Sequence, residues 1–165
     1  MPKSTPENQE RIEQALRLAI HYHAGQRDKA GDCYMLHLMR VMLSCDTPEA
    51  MQVAALHDVL EDTSATPDDL RRGGMTSEVV EAINLLTRQN AMSYAEYVVR
   101  LSHHELAMQV QVADLQDKYR LDRVAYRRDH ADEDGRRIAR YILSHDFLTG
   151  KIARDEFLER MAPVE

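Results

Sequence analysis

The sequence predicts an all-α, single-domain protein, and three observations lead there. Glycine and proline are sparse, six and five in 165 residues, so the frequent punctuation of a many-turned β fold is missing. Apolar residues recur at three- and four-residue spacing along most of the chain, the period of a helix with one buried face. Thr-Pro pairs and a Ser-x-x-Glu pattern stand where such periodic runs begin, as helix N-caps do.

Taken in order, the first helix runs from Glu7, with Ile12, Ala15, Leu16, Ala19 and Ile20 on its apolar stripe, and ends near Gly25. The charged segment GQRDKAG is a loop. A second helix covers Tyr34 to Ser44 and buries Met35, Leu38, Met39 and Met42. Thr47-Pro48 opens a third helix toward Leu60, and Thr66-Pro67 opens a short one through Arg72 that Gly73-Gly74 stops. Val79, Val80, Ile83, Leu85 and Leu86 mark a helix ending near Arg88. Ser93 and Glu96 form a capping box before YAEYVVRL. Residues 106–115 alternate like a strand but also form a helical stripe through Leu106, Val110 and Ala113. With no partner strand in view, helix is the better reading. Helices over 134–148 and 154–161 follow an acidic loop, HADEDG. The expected core is about residues 7–148, with a helical extension at 149–165.

Composition narrows the function. Lys and Arg total 21 against 28 Asp and Glu, a net charge of −7, which argues against a nucleic-acid partner. A small phosphorylated substrate stays open, because a bound cation can reverse a local field. No apolar stretch is long enough to span a membrane, and the polar first residues lack a secretory core. Two cysteines, Cys33 and Cys45, do not make a disulfide scaffold. The expectation is a reduced, cytoplasmic protein.

The chemistry concentrates in AALHDVLEDT, residues 54–63. His57, Asp58, Glu61 and Asp62 follow directly on the apolar run VAAL. On a continuous helix His57 would sit one turn from Glu61, and Asp58 one turn from Asp62. Carboxylates so close to a core need compensation, which a cation supplies. Imidazole nitrogen with carboxylate oxygen suits zinc, iron or manganese. Two ligands are not a site, and the others must come from apolar surroundings. His37 lies between Leu36 and Leu38, and Asp114 lies inside VQVADL. His21 and His23, two residues apart, read as partly buried structure, and His103-His104 as a loop pair.

These residues bring the chain close to a known pattern. His, His-Asp and Asp carried on helices resemble the HD-domain superfamily of metal-dependent phosphohydrolases. HYHAGQRDKAGDCYMLH (21–37), AALHDVLEDTSAT (54–66) and VQVADLQDK (110–118), in that order, resemble the hydrolase domain of the RelA/SpoT alarmone enzymes and their small stand-alone relatives. The resemblance implies a helical HD fold over most of the chain. It implies His37, His57, Asp58 and Asp114 as ligands of a manganese(II) ion, with Fe2+ or Zn2+ as alternatives. Glu61 and Asp62 then match the ED pair of hydrolase-competent members. Those enzymes use a metal-assisted water to remove the 3′-pyrophosphate of ppGpp and pppGpp. Arg27, Lys29 and Tyr141 match positions that contact substrate, and a small nucleotide is the implied partner.

The sequence departs from that pattern at four places. Asp28 stands where a second basic residue is frequent, and Leu38 where proline usually follows the first histidine. Gln111 replaces a lysine. Lys118 replaces an asparagine that contacts the nucleotide in relatives; a lysine meets phosphate as a point charge but offers no amide acceptor. Two further readings therefore accompany alarmone hydrolysis. One is the same chemistry on another phosphorylated nucleotide or metabolite, and the other is a nucleotide-sensing module without turnover.

Overall fold

The computed structural model describes residues 5–28, 31–120 and 128–165, with Arg128 described by its backbone alone. Among these residues the structure is helical, and an isolated bridge between Arg27 and Cys33 is the only extended pairing. The helices are α1 (Pro6–Tyr22), α2 (Met35–Leu43), α3 (Pro48–Leu56), α4 (Val59–Asp62), α5 (Pro67–Arg72), α6 (Ser77–Leu86), α7 (Tyr94–Leu101), α8 (Glu105–Lys118), α9 (Ala131–Leu148) and α10 (Arg154–Met161). No helix among the described residues is long and apolar enough to cross a membrane.

Local signals in the sequence set most boundaries. Thr47 caps α3 by accepting from the Ala50 amide at 3.1 Å, with Pro48 in the first turn, where a missing N–H costs nothing. Thr66 with Asp69 and Ser93 with Glu96 form reciprocal capping boxes on α5 and α7. The chain leaves α5 through Gly74 at φ +90°, a conformation that penalises any side chain with a Cβ by roughly 1–2 kcal/mol. Gly74→Ala is accordingly expected to lower the melting temperature by about 2–8 °C, measurable by calorimetry.

α3 is the axis of the molecule. Ala50 and Gln52 to Leu56 are buried, and the helix packs against α1, α2, α6 and α8. A helix apolar all round belongs in a core, so whatever continues from its C-terminal end starts inside the protein. α8, whose sequence pattern was ambiguous, is helical. It buries Ala107, Val110, Gln111, Asp114 and Leu115 at helical spacing against α3, α2 and α6. At the other end α10 buries Phe157, which stacks on Phe147 of α9 at 4.6 Å.

The structure corrects three expectations. The third helix does not continue to Leu60: it stops after Leu56, His57 and Asp58 form a turn, and α4 is a separate helix. The segment HADEDG is not a loop, because α9 begins at Ala131. Its acids occupy the first turn, where the positive end of the helix dipole favours them, and buried Asp134 pairs with Arg137 at 2.9 Å. Of the two early histidines, His23 is fully buried and His21 is exposed.

Candidate metal centre and active site

The site starts from the way α3 ends. A helix terminus leaves carbonyls without intrahelical donors, and the His57 ring takes one of them, with Nδ1 2.8 Å from the Ala54 carbonyl oxygen. That bond makes Nδ1 the protonated nitrogen and turns Nε2 inward. His37, on α2, is fixed in the same sense: its Nδ1 lies 2.6 Å from Asp117 Oδ2. The two rings therefore face each other through Nε2, with centroids 5.5 Å apart.

Both carboxylates expected from the sequence converge there. Asp58 Oδ2 lies 3.0 Å from His57 Nε2 and 3.7 Å from His37 Nε2. Asp114, delivered by α8, places Oδ1 3.2 Å from His37 Nε2 and 3.5 Å from His57 Nε2. His37, His57 and Asp58 each offer a donor atom within 4.8 Å of the others. His37, His57 and Asp114 are all at most 3% exposed. Despite these short distances His37 Nε2, His57 Nε2 and Asp114 Oδ1 make no hydrogen bond. Leaving a buried polar atom unsatisfied costs about 1–3 kcal/mol, and three such atoms aimed at one point fit a divalent cation.

Hydrogen bonds hold both carboxylates in place. Asp114 Oδ2 accepts from Lys118 Nζ at 2.7 Å, and Tyr34 Oη donates to Asp58 Oδ2 at 2.5 Å. Burial works against charge on Asp58 and Asp114, yet His57 and Lys118 hold the Asp58 carboxyl far below the usual range, and Lys118 with the two histidines does the same for Asp114. Burial likewise opposes a proton on His57, but the carboxylates override it and push the imidazolium up to about 10. His37 goes the other way, burial lowering it below its usual 6.5.

This asymmetry predicts a pH signature. The metal-free protein carries a proton on His57 that a cation must displace, so binding releases about one proton and tightens about tenfold per pH unit. Between pH 6.5 and 8.5 the apparent dissociation constant of a divalent cation is expected to fall about 100-fold, read by calorimetric titration. For stability the sign is opposite. A group raised in the folded state stabilises fully below its unfolded value near 6.5 and loses that contribution as pH climbs toward 10. Metal-free protein should therefore melt at lower temperature as pH rises through that window, and metal-loaded protein should resist the decline.

Glu61 and Asp62 lie on α4, exposed on the wall of a cavity of about 990 Å³ that also reaches His37, His57, Asp58 and Asp114. Burial raises the Glu61 carboxyl; the Arg88 amide, 3.4 Å from Oε2, opposes this, and Asp58 and Asp62 add to it. Gln26 Nε2 donates to Asp62 Oδ2 at 3.4 Å, and Gln26 Oε1 lies 2.6 Å from His23 Nδ1.

Of the substrate-side candidates, Arg27, Lys118 and Tyr141 line the same cavity; Lys29 lies outside the described residues. Lys118 is about a third exposed and committed to Asp114, so it is the i,i+4 partner of a carboxylate that is itself buried. Gln111 accepts from Tyr97 Oη at 3.0 Å, which accounts for a neutral residue at that position.

Several residues of the site were not singled out from sequence. Arg88, Arg137 and Arg140 add positive charge to the cavity lining. Arg140 lies over the Tyr94 ring at 5.9 Å. Tyr34 stands in the quoted motif without a role, and Asp117 follows Asp114 by three residues on α8, a spacing that puts both on one face.

No known family model matches the chain. It is 29% identical over 126 residues to a GTP pyrophosphokinase of Streptomyces coelicolor, a match covering 68% of the chain and 15% of that protein. It is 35% identical over 92 residues to the bifunctional (p)ppGpp synthase/hydrolase SpoT of Escherichia coli, covering 50% of the chain and 13% of that enzyme. A guanosine-3′,5′-bis(diphosphate) 3′-pyrophosphohydrolase of Aquifex aeolicus is 25% identical over 123 residues, covering 68% and 18%. The matches thus span less than a fifth of these relatives. A solved structure of a metazoan ortholog of SpoT, described as hydrolysing ppGpp, superposes with a TM-score of 0.63 at 17% identity, over 99% of this chain and 96% of that one. The chain resembles the hydrolase domain of SpoT-type enzymes. With that structure it shares the all-helical fold, across nearly its whole length.

Proposed function

We propose that the protein is a metal-dependent nucleotide pyrophosphohydrolase acting in the cytoplasm, which removes the 3′-pyrophosphate of ppGpp and pppGpp. One observation carries this reading: two imidazole nitrogens and a carboxylate oxygen, buried and making no hydrogen bond, converge beside exposed Glu61 and Asp62 at the wall of one cavity. The resemblance to SpoT-type hydrolases supplies the substrate class.

In this reading His37, His57, Asp58 and Asp114 hold the cation, with manganese(II) the first candidate and iron(II) or zinc the alternatives. Such a cation supplies Lewis-acid polarisation of a phosphoryl oxygen and makes water more acidic. Glu61, with its carboxyl raised above its usual value by burial, accepts the proton of the attacking water, and Asp62, held by Gln26, orients that water. Lys118 fixes Asp114 and adds positive charge near the phosphates. Arg27, Lys29 and Tyr141 contact the nucleotide. Water adds to the phosphorus attached to the ribose 3′ oxygen, and the bond between that phosphorus and the 3′ oxygen breaks. The 3′ oxygen takes up a proton, and pyrophosphate carrying the water oxygen is released, so GDP or GTP remains.

The test is pyrophosphate release from ppGpp by Mn2+-loaded protein, run beside a panel of deoxynucleotides and dinucleotides. Preferred release from ppGpp, abolished by EDTA, is the expected result. Lys118, already engaged by Asp114, favours a second reading in which the same centre acts on a different phosphorylated nucleotide. A panel member turned over faster than ppGpp would select it. No turnover of any member by metal-loaded protein would overturn hydrolysis altogether.

A further inference from the structure

We propose that Asp117, backed by Arg40, is the positioning residue that holds His37 in the one tautomer and orientation a cation can use. The proposal rests on the metal reading above and concerns residues that act through His37.

Asp117 is 5% exposed, and each of its oxygens meets a side chain of α2. Oδ2 lies 2.6 Å from His37 Nδ1, and Oδ1 accepts from Arg40 Nε at 2.7 Å. Arg40 Nη2 also reaches Oδ2, at 3.4 Å. His37 and Arg40 are three residues apart on one helix face, so a single carboxylate from α8 clamps two side chains of α2. A carboxylate can only accept, so Nδ1 must carry the hydrogen and Nε2 is left as a lone pair facing Asp58 and Asp114. The guanidinium makes the burial of Asp117 tolerable, since a buried carboxylate without a partner is strongly destabilising.

His57 solves the same problem differently, with the Ala54 carbonyl as its acceptor. One imidazole is thus oriented by main chain at a helix end, and the other by an ion pair between two helices. The His37 arm therefore depends on side chains where the His57 arm depends on main chain. The same carboxylate links α2 to α8, which carries Asp114, so it sets the spacing of two proposed ligands at once.

The experiment combines Mn2+ titration with nitrogen-15 NMR of the histidines in metal-free protein. In wild type His37 should be protonated at Nδ1 and bare at Nε2. Asp117→Asn should weaken Mn2+ binding roughly 10–100-fold while the protein still melts cooperatively, and Arg40→Gln should weaken it less. Wild-type His37 protonated at Nε2 instead would overturn the proposal, as would a folded Asp117→Asn variant binding Mn2+ within twofold of wild type. Should wild type take up no Mn2+, the metal reading fails by itself, and the tautomer still decides whether Asp117 sets His37.

Discussion

Glu61→Gln should lower turnover of ppGpp by roughly 10²–10⁴-fold and leave Mn2+ affinity within a few fold. The substitution keeps the size and hydrogen-bonding capacity of the side chain but removes its ability to take a proton. Glu61 is exposed on α4 and touches none of the four converging side chains at hydrogen-bond distance, so the cation site should survive. Because burial, Asp58 and Asp62 raise the Glu61 carboxyl above its usual value, the acid limb of kcat/KM should lie above pH 4.5 in wild type. It should change or vanish in the variant. The same variant separates an enzyme from a sensor: a protein that only binds nucleotide would show no turnover to lose. Asp62→Asn run in parallel assigns the base, since the residue whose loss removes the acid limb is the proton acceptor.

Asp58→Asn should be more damaging still, and in a different way. Asp58 Oδ2 stands 3.0 Å from His57 Nε2 and receives the Tyr34 hydroxyl. Neutralising it removes negative charge from a centre where a cation needs it, and leaves one carboxylate facing two imidazoles. The expected loss of Mn2+ affinity exceeds the roughly 100-fold that loss of an outer-shell partner costs, and turnover falls with it. The proton on metal-free His57 should be lost more readily, because Asp58 is the largest influence raising it. A histidine NMR titration of the metal-free variant checks this independently of activity, and the His57 midpoint should move down from about 10 toward neutrality. Tyr34 gives a contrast: Tyr34→Phe deletes only the hydroxyl, so its effect should be far smaller than that of Asp58→Asn.

The two variants differ in diagnostic pattern. Glu61→Gln should leave the thermal shift produced by Mn2+ intact, about 2.7 kcal/mol of stabilisation when the cation is at 100 times its dissociation constant. In Asp58→Asn that shift should disappear at the same concentration.

How much of this was legible in the sequence varies residue by residue. Thr47-Pro48, Thr66-Pro67 and Ser93 with Glu96 announced three helix starts, because a cap is a bond between near neighbours and needs no tertiary context. His57, Asp58, Glu61 and Asp62 stood out because four ionisable groups directly after a buried run conflict with burial unless something compensates them. His37 and Asp114, on α2 and α8, were suggested by their apolar surroundings and tied to that block by resemblance, since no local pattern states that two helices meet. The break at His57 was hidden, since no glycine or proline marks it. It coincides with an imidazole capturing the Ala54 carbonyl, a choice made by side-chain geometry. HADEDG looked like a loop because acidic runs are usually solvated, although the same charges suit a helix N-terminus. Asp117 and Arg40 were invisible for a related reason. In a charged, helical sequence any Asp or Arg reads as surface until packing buries it. Arg137 and Arg140 on α9 reach the cavity for the same cause.

The most direct test is the anomalous difference map of a crystal grown with Mn2+. A single strong peak within about 2.5 Å of His37 Nε2, His57 Nε2 and a carboxylate oxygen of both Asp58 and Asp114 is the predicted result. An empty cluster beside well-ordered side chains, or manganese bound elsewhere with these four uninvolved, would contradict it.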